Sequence, residues 1–407
     1  AGDSIDESDI DQSILDEQYP HSIDTLEEFI QSYYLLLDSD EYLRKYSFLN
    51  TEANLIQGDS LALNSFYTKL IALRSGLVDR VNVYQIGDSH IQSGYFAGTA
   101  RSALQKHFGN AGRGLSFPYR LAGTNQPDDY RISSSKAWTR NNLTVGIAGY
   151  TVKSKQSGIL SLKTNDFFGS GNKHDLIRVI SNNDKYLWSN SKQTASIDKL
   201  ADIYIHTLNL DQLTSVTDLT FSNPEGQETD LYGILLESTE PGLLYHSTGV
   251  NGGSFDNLEA YHPLFSQIPA LKPDLIIVSL GTNDAQGNYR AEVFKAQMQK
   301  FMRRLKEHNP ETPVLFTLPP DTFKRGGINQ DIYKVGSELT SYARANGYAV
   351  WDLATVMGGK GSVRLWKANA LAANDMIHFS PKGYMLQGYL FYQALIRGYK
   401  KFTETPR

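Results

Sequence analysis

The sequence predicts an α/β protein: a mostly parallel sheet covered by helices on both faces, interrupted by a β-rich insertion. Three observations carry this. Apolar runs that read as buried strands alternate with amphipathic helical stretches toward both ends of the chain. Between about residues 126 and 239 the alternation stops, Ser, Thr and Asn rise, and short apolar runs recur at roughly 8–12-residue spacing. The apolar run at residues 81–86 ends abruptly in Gly87-Asp88-Ser89, at the carboxyl end of a strand, where open α/β sheets place their active sites.

Residues 1–22, acidic and Ser-rich without periodicity, read as a flexible leader. Thr25 and Glu28 form a capping-box pair ahead of Leu26, Ile30, Tyr33 and Leu37 at helical spacing. A helix is expected after Gly58-Asp59-Ser60, with Leu63, Phe66, Tyr67 and Leu70 as its stripe. The strand at 81–86 and a glycine-rich segment at 109–114 follow. In the insertion, runs at 158–162, 176–180, 201–205 and 231–236 are candidate strands, and no catalytic motif lies among them. The α/β pattern resumes at 242–246, and 274–280 reads as a buried strand. Phe294, Met298, Phe301, Met302 and Leu305 mark an amphipathic helix, 314–318 a strand, and Ile332, Val335, Leu339, Tyr342 and Ala343 a helix stopped near Gly347. Residues 349–353 read as the last strand, and Ser380-Pro381 as N-cap and N1 proline of the final helix. The expected organisation is a leader (1–22), a discontinuous α/β domain (23–125 and 240–407, with a helical N-terminal extension) and a sandwich-like β insertion (126–239).

The bulk composition narrows the classes. At 407 residues the chain can bury a large core. A net charge of −5 without a basic tract argues against nucleic acid as a partner. No apolar stretch approaches the roughly 20 residues of a membrane span. The absence of cysteine excludes disulfides, thiol catalysis and cysteine-ligated metal. The start at Ala1-Gly2-Asp3-Ser4 reads as a processed N-terminus from which an export signal has been removed. The 24 tyrosines suit a carbohydrate surface, but filling a β-rich core is the weightier reading.

Gly-Asp-Ser occurs three times, at Gly2, Gly58 and Gly87. A nucleophile must be held on a rigid element and aimed into a pocket. The first triplet sits in the polar leader, and the second precedes a helix, where Asp and Ser are common N-caps. Only the third follows a strand, so Ser89 is the candidate. Serine attacks only when a base removes its proton. His378 is a suitable base, because its ordinary pKa lies near neutrality. Asp375, three residues earlier, can reach the far ring nitrogen and fix the tautomer. Asn283, in Gly281-Thr282-Asn283-Asp284 after a second apolar run, is a candidate oxyanion donor.

Each piece alone has a plainer reading: Asn283 as a turn residue, Asp375 and His378 as a loop ion pair, Gly252 and Gly253 as an ordinary turn. Their joint occurrence in this order, each beside a strand end or helix start, favours the chemistry. His90 is not read as the base, because adjacent side chains diverge. Asp284 is expected to bond local backbone, and His21, His107, His174, His206, His246, His262 and His308 have no metal-ligand spacing.

Gly87-Asp88-Ser89-His90-Ile91-Gln92, Gly281-Thr282-Asn283-Asp284 and Asp375-x-x-His378 together resemble the SGNH (GDSL-type) hydrolase superfamily. The Gly-Asp-Ser-His-Ile-Gln form and the large β insertion resemble its peptidoglycan O-acetylesterase branch. The resemblance implies a three-layer α/β/α fold with an inserted β-sandwich-like domain similar to a carbohydrate-binding module, whose role is glycan binding or, equally, a wall that covers the site. It implies a catalytic set of Ser89, Asp375 and His378. It also implies an oxyanion hole from the Ser89 and Gly252 N–H groups and the Asn283 amide, Gly252 being chosen over Gly253 in Val250-Asn251-Gly252-Gly253. No cofactor or metal is required. The expectation is a periplasmic or cell-surface serine esterase that removes acetyl groups from an acetylated glycan, peptidoglycan foremost. Acetylxylan or another polysaccharide, acetyl transfer to a second hydroxyl, and a glycan-binding protein without catalysis are the alternatives.

Overall fold

The central sheet has six strands: β1 (Ile56–Gln57), β2 (Arg80–Gly87), β3 (Gly242–Gly249), β4 (Leu275–Ser279), β5 (Val314–Thr317) and β6 (Ala349–Trp351). Their spatial order is β1-β6-β5-β4-β2-β3. Every neighbouring pair is parallel except β1 on β6. The structure is a computed structural model and describes residues 43–58 and 61–404. The leader, the Thr25-capped helix, the first Gly-Asp-Ser triplet and Asp59-Ser60 of the second lie outside the described residues.

Strand periodicity divides the interior in two. On one face Val81, Val83, Leu243, Tyr245, Leu275, Ile277, Leu315 and Trp351 pack against helices α1 (Asn64–Arg74), α2 (Tyr95–Phe108) and α5 (Pro381–Glu404). On the other, Tyr84, Ile86, Ile276, Val278 and Phe316 meet α3 (Ala291–His308) and α4 (Gln330–Asn346). Each fully buried aliphatic or aromatic side chain contributes about 1.5–3 kcal/mol. The three-layer α/β/α expectation holds. Among the described residues no helix is long and apolar enough to cross a membrane.

Expected elements recur with small changes at their ends. The helix after Gly58 begins at Asn64, with Leu63 in the cap position and no side-chain cap. Asp352 leaves the last strand to cap a short helix, accepting from the Thr355 N–H at 3.1 Å. Gly347 closes α4 at φ 68°, the left-handed conformation that glycine adopts without a Cβ penalty. Ser380 caps α5 as expected, accepting from the Gly383 N–H at 3.2 Å.

Helix α2 was not foreseen. It has no polar face to set off an apolar stripe: Thr99, Arg101, Ser102 and Gln105 are buried beside Phe96, Ala100 and Leu104. Amphipathic contrast fails where a helix is covered all round.

The insertion is β throughout. Thr229–Glu237 pairs antiparallel with His174–Ser181, Val152–Ser154 and Gly114–Ser116 in a seven-stranded sheet. Tyr130–Ser134, Gly158–Thr164, Val216–Ser222 and Leu187–Ser189 form a second, antiparallel sheet of four. Leu160, Leu219 and Phe221 from the small sheet, and Ile177, Val179 and Leu235 from the large one, belong to the same hydrophobic cluster as Tyr84, Ile86 and Val278 of the central sheet. Many of the tyrosines are core residues here, among them Tyr84, Tyr130, Tyr186 and Tyr245, each at most 1% exposed.

One buried ion cluster ties these parts together. The Asp129 carboxylate receives Arg101 Nη2 at 2.6 Å and Arg113 Nε at 3.1 Å, and all three side chains are at most 3% exposed. Burial opposes the Asp129 charge, but the two guanidiniums outweigh it and hold the pKa at about 2, below the ordinary 3.8. Arg113 also lies over the Tyr130 ring, 4.4 Å from its centroid.

Removing one partner of such a cluster strands buried charge. Asp129→Asn is expected to destabilise the fold by about 3–5 kcal/mol, read as a lower denaturant midpoint at neutral pH. A carboxylate with a depressed native pKa adds stability above its unfolded value and loses it as pH falls through the native one. For Asp129 that loss runs from pH 3.8 to about 2, and the variant should lack this component of the acid transition.

Candidate active site

The site forms at the carboxyl ends of β2, β3 and β4. Beyond Gly87 the chain turns sharply into a one-turn helix, Ser89–Gln92, capped by Asp88, whose Oδ1 accepts from the His90 N–H at 3.0 Å. The loop after β3 is drawn against this elbow: the Val250 N–H donates to the Gly87 carbonyl at 3.0 Å. Two glycines permit the approach. A Cβ at Gly249 would collide with the Gln92 backbone, and one at Gly253 would lie 2.9 Å from the Val250 oxygen and 3.4 Å from Asp88 Cα.

Beneath the elbow a polar chain crosses the sheet. Tyr245 OH donates to Gln85 Oε1 at 2.8 Å, Gln85 Nε2 donates to Ser279 Oγ at 2.8 Å, and Thr317 Oγ1 lies 2.7 Å from Ser279 Oγ. It satisfies a fully buried amide and pins β3, β2, β4 and β5 in one register.

Ser89, His378 and Asp375 come together. Ser89 Oγ is 3.1 Å from His378 Nε2, and His378 Nδ1 is 2.7 Å from Asp375 Oδ2. Asp375 Oδ1 also accepts the N–H groups of Ile377 and His378, both at 2.9 Å. This chelate closes a tight turn with Met376 at φ 52°. It explains the three-residue spacing: the carboxylate holds both the backbone and the ring of the same histidine. Burial opposes the charge on Asp375, but His378 and the two N–H groups hold its pKa far below the ordinary carboxylate range. Burial would also lower His378, yet the Asp375 hydrogen bond and charge, helped by Asp88, raise it above 6.5. The His378 and Asp375 side chains are 43% and 40% exposed, so the site opens to solvent.

The expected oxyanion donors occupy distinct positions. Ser89 is the first residue of a helical turn, where N–H groups lack intrahelical acceptors. In the Val250–Gly253 turn the Gly253 N–H is taken by the Val250 carbonyl at 2.8 Å. Gly252 is exposed at φ 70° with open space around it. Asn283 stands on the short helix Thr282–Gln286 after β4. Its Nδ2 donates to the Gly253 carbonyl at 2.9 Å and lies 3.5 Å from Asp88 Oδ2.

Three acidic or imidazole groups around this set were given no part in the site by the sequence, His90 and Asp284 having been set aside. Asp88 is buried, which pushes its carboxyl up to about 7. Asp284 is likewise pushed up to about 7 by burial; it bonds its own backbone N–H, as expected of a local contact, and its Oδ1 also accepts from the Phe255 N–H of another element at 3.3 Å. His90 does not diverge from the site: its ring stacks on that of His378, centroids 5.3 Å apart and 26° from parallel. A one-turn helix separates successive side chains by only about 100°, so two neighbours can border one group.

A serine at a parallel-strand end, in contact with an imidazole–carboxylate pair, is the arrangement of a serine acyl-transfer site. Residues 215–386 match the model of the GDSL-like lipase/acylhydrolase family, a span that includes Gly252, Asn283, Asp375 and His378 and stops short of Ser89. A solved peptidoglycan O-acetylesterase superposes with a TM-score of 0.74 at 20% identity, over 85% of this chain and 99% of that one. The chain is similar to that acylhydrolase family over these residues, and it shares the fold of that esterase, β insertion included. An acetyl xylan esterase (TM-score 0.30, 16% identity, 38% of this chain and 81% of that one) and a family two carbohydrate esterase from Cellvibrio japonicus (0.31, 12%, 67% and 96%) are too distant in geometry to support inference. No curated protein matches the chain.

His378 should titrate above 6.5 when followed by histidine side-chain NMR. Asp375→Asn should bring that midpoint down, since it removes the charge that raises it; an unmoved midpoint would contradict the assigned cause.

Proposed function

We propose that the chain is a serine esterase that removes O-acetyl groups from a carbohydrate, peptidoglycan foremost, through an acetyl-enzyme intermediate. The observation that carries the reading is the continuous contact Ser89 Oγ–His378 Nε2–His378 Nδ1–Asp375 Oδ2, at 3.1 and 2.7 Å. The choice of peptidoglycan draws support from the fold shared with a peptidoglycan O-acetylesterase over nearly all of that protein. Such a substrate would place the enzyme in the periplasm or at the cell surface.

Ser89 Oγ attacks the acetyl carbonyl as its proton passes to His378 Nε2. The carbonyl oxygen gains charge and is met by the Ser89 and Gly252 N–H groups and the Asn283 amide. Asn283 Nδ2 donates one hydrogen to the Gly253 carbonyl; its 3.5 Å contact with Asp88 is at the limit of a hydrogen bond and leaves the second N–H as the donor for the oxyanion. One such donor is worth roughly 3–4 kcal/mol in the barrier. On collapse the Ser89 ester remains, the sugar oxygen departs, and His378 returns the proton to it. Water then attacks the acetyl group by the same route in reverse, releasing acetate. Asp375 stays ionised throughout, consistent with its strongly depressed pKa. The solvent exposure of His378 and Asp375 favours water over a second sugar hydroxyl as acceptor.

Acetate release from O-acetylated peptidoglycan and from acetylated xylan tests this. Release from peptidoglycan should fall by about 10⁴-fold or more in Ser89→Ala. Release from xylan alone would keep the mechanism and move the substrate; release that persists in Ser89→Ala would remove the nucleophile assignment. Asp375→Asn should cost less than His378→Ala, because His378 carries the proton; the reverse order would contradict the roles.

A further inference from the structure

His90 follows Ser89 and faces the same imidazole from another side. Ser89 Oγ meets the Nε2 edge of His378, while the His90 ring covers its face at 5.3 Å and 26°. The His378 side chain is 43% exposed, so much of that ring faces water and His90 supplies a support from within the protein. His90 itself is 7% exposed and rests on a rigid wall. Its Nδ1 is 3.1 Å from Tyr384 OH on α5. The Tyr384 and Phe379 rings lie edge-on or tilted to it at 5.7 and 6.0 Å. Phe379 in turn packs edge-on against the fully buried Trp366 at 5.4 Å.

We propose that His90 is a positioning residue of the proposed esterase: a flat ring, braced by Tyr384 and Phe379, that holds the His378 imidazole in line between Ser89 Oγ and Asp375 Oδ2. The inference rests on the esterase reading of Ser89 and His378. Two features fit it. Burial, together with the neighbouring His378, pushes His90 down to about 3, so no second cation lies against His378 when it takes the serine proton. His90 Nε2 is buried with no hydrogen-bond partner among the described residues, so the contact it makes with His378 is one of ring against ring. A flat aromatic side chain should therefore replace it, and a small or merely bulky one should not.

Hydrolysis of p-nitrophenyl acetate by wild type, His90→Phe, His90→Leu and His90→Ala decides the matter, together with the downfield Nδ1 proton of His378 in the NMR spectrum. Misplacing a catalytic group by about 1 Å costs up to about 10²-fold. His90→Leu and His90→Ala are expected to lower kcat by about 10–100-fold with KM within about twofold, and to broaden or lose the downfield proton. His90→Phe should keep the proton and recover kcat to within about fivefold of wild type. His90→Leu fills the space, so a folding defect confined to His90→Ala leaves the test standing. Wild-type kcat and an intact proton in His90→Leu would overturn the proposal, as would His90→Phe as impaired as His90→Leu. Turnover that survives Ser89→Ala would instead sink the esterase reading, and the proton resonance would still decide whether His90 positions His378.

Discussion

Burial of the Asp129 carboxylate between two guanidiniums is the interaction on which the rest of the arrangement turns. Arg101 lies midway along α2, the helix that follows directly from the Ser89 elbow. Arg113 leads into the strand Gly114–Ser116, which joins the large sheet of the insertion. One acidic side chain thus fixes the rotation of the helix behind Ser89 and the entry of the β layer. The cost of burying the cluster is met by dense hydrogen bonding to Asp129 and by the Tyr130 face under Arg113.

The site has the same economy. A single turn after β2 delivers the serine Oγ, the Asp88 cap and the His90 ring, and a single turn before α5 delivers both Asp375 and His378. Neither turn is stable alone. The first is pressed into place by the Gly249–Gly253 loop and the second by the bond from the Phe323 N–H to the Met376 carbonyl at 2.9 Å. Stiffness at the reacting atoms comes from contacts between loops rather than from any one loop.

The sequence made the skeleton legible where a period or a cap signalled it. Residues 81–86, 274–280 and 314–318 are continuous apolar runs because parallel strands are buried on both faces. Ser380-Pro381 opens a helix by its chemistry alone. Ser89, Asp375 and His378 could be picked out because their order and flanking elements restrict the chemistry. What could not be read was whatever depends on burial from outside the segment. Helix α2 hides its period because every face is covered. Asp88 and Asp284 look like ordinary turn residues until the fold removes their water. His90 was set aside by a rule about neighbouring side chains that holds for strands and fails at a tight helical turn. Between Gly252 and Gly253 the sequence offers only adjacent glycines, and the turn hydrogen bond that occupies one of them is a property of the folded loop.

The hydrophobic cluster that runs unbroken from Ile177 and Leu219 in the insertion to Tyr84 and Val278 in the central sheet bears on how the gene for this chain can be rearranged. A module held by a linker can be excised, swapped or fused elsewhere, because its outer surface is already suited to water. Here the lower surface of the β layer is the ceiling of the catalytic half, and cutting at the two connections would leave an oily floor bare on each fragment. The insertion therefore behaves as masonry: recombination that separates it from the α/β part should produce aggregates, and change in the β layer must come residue by residue while the layer stays in place.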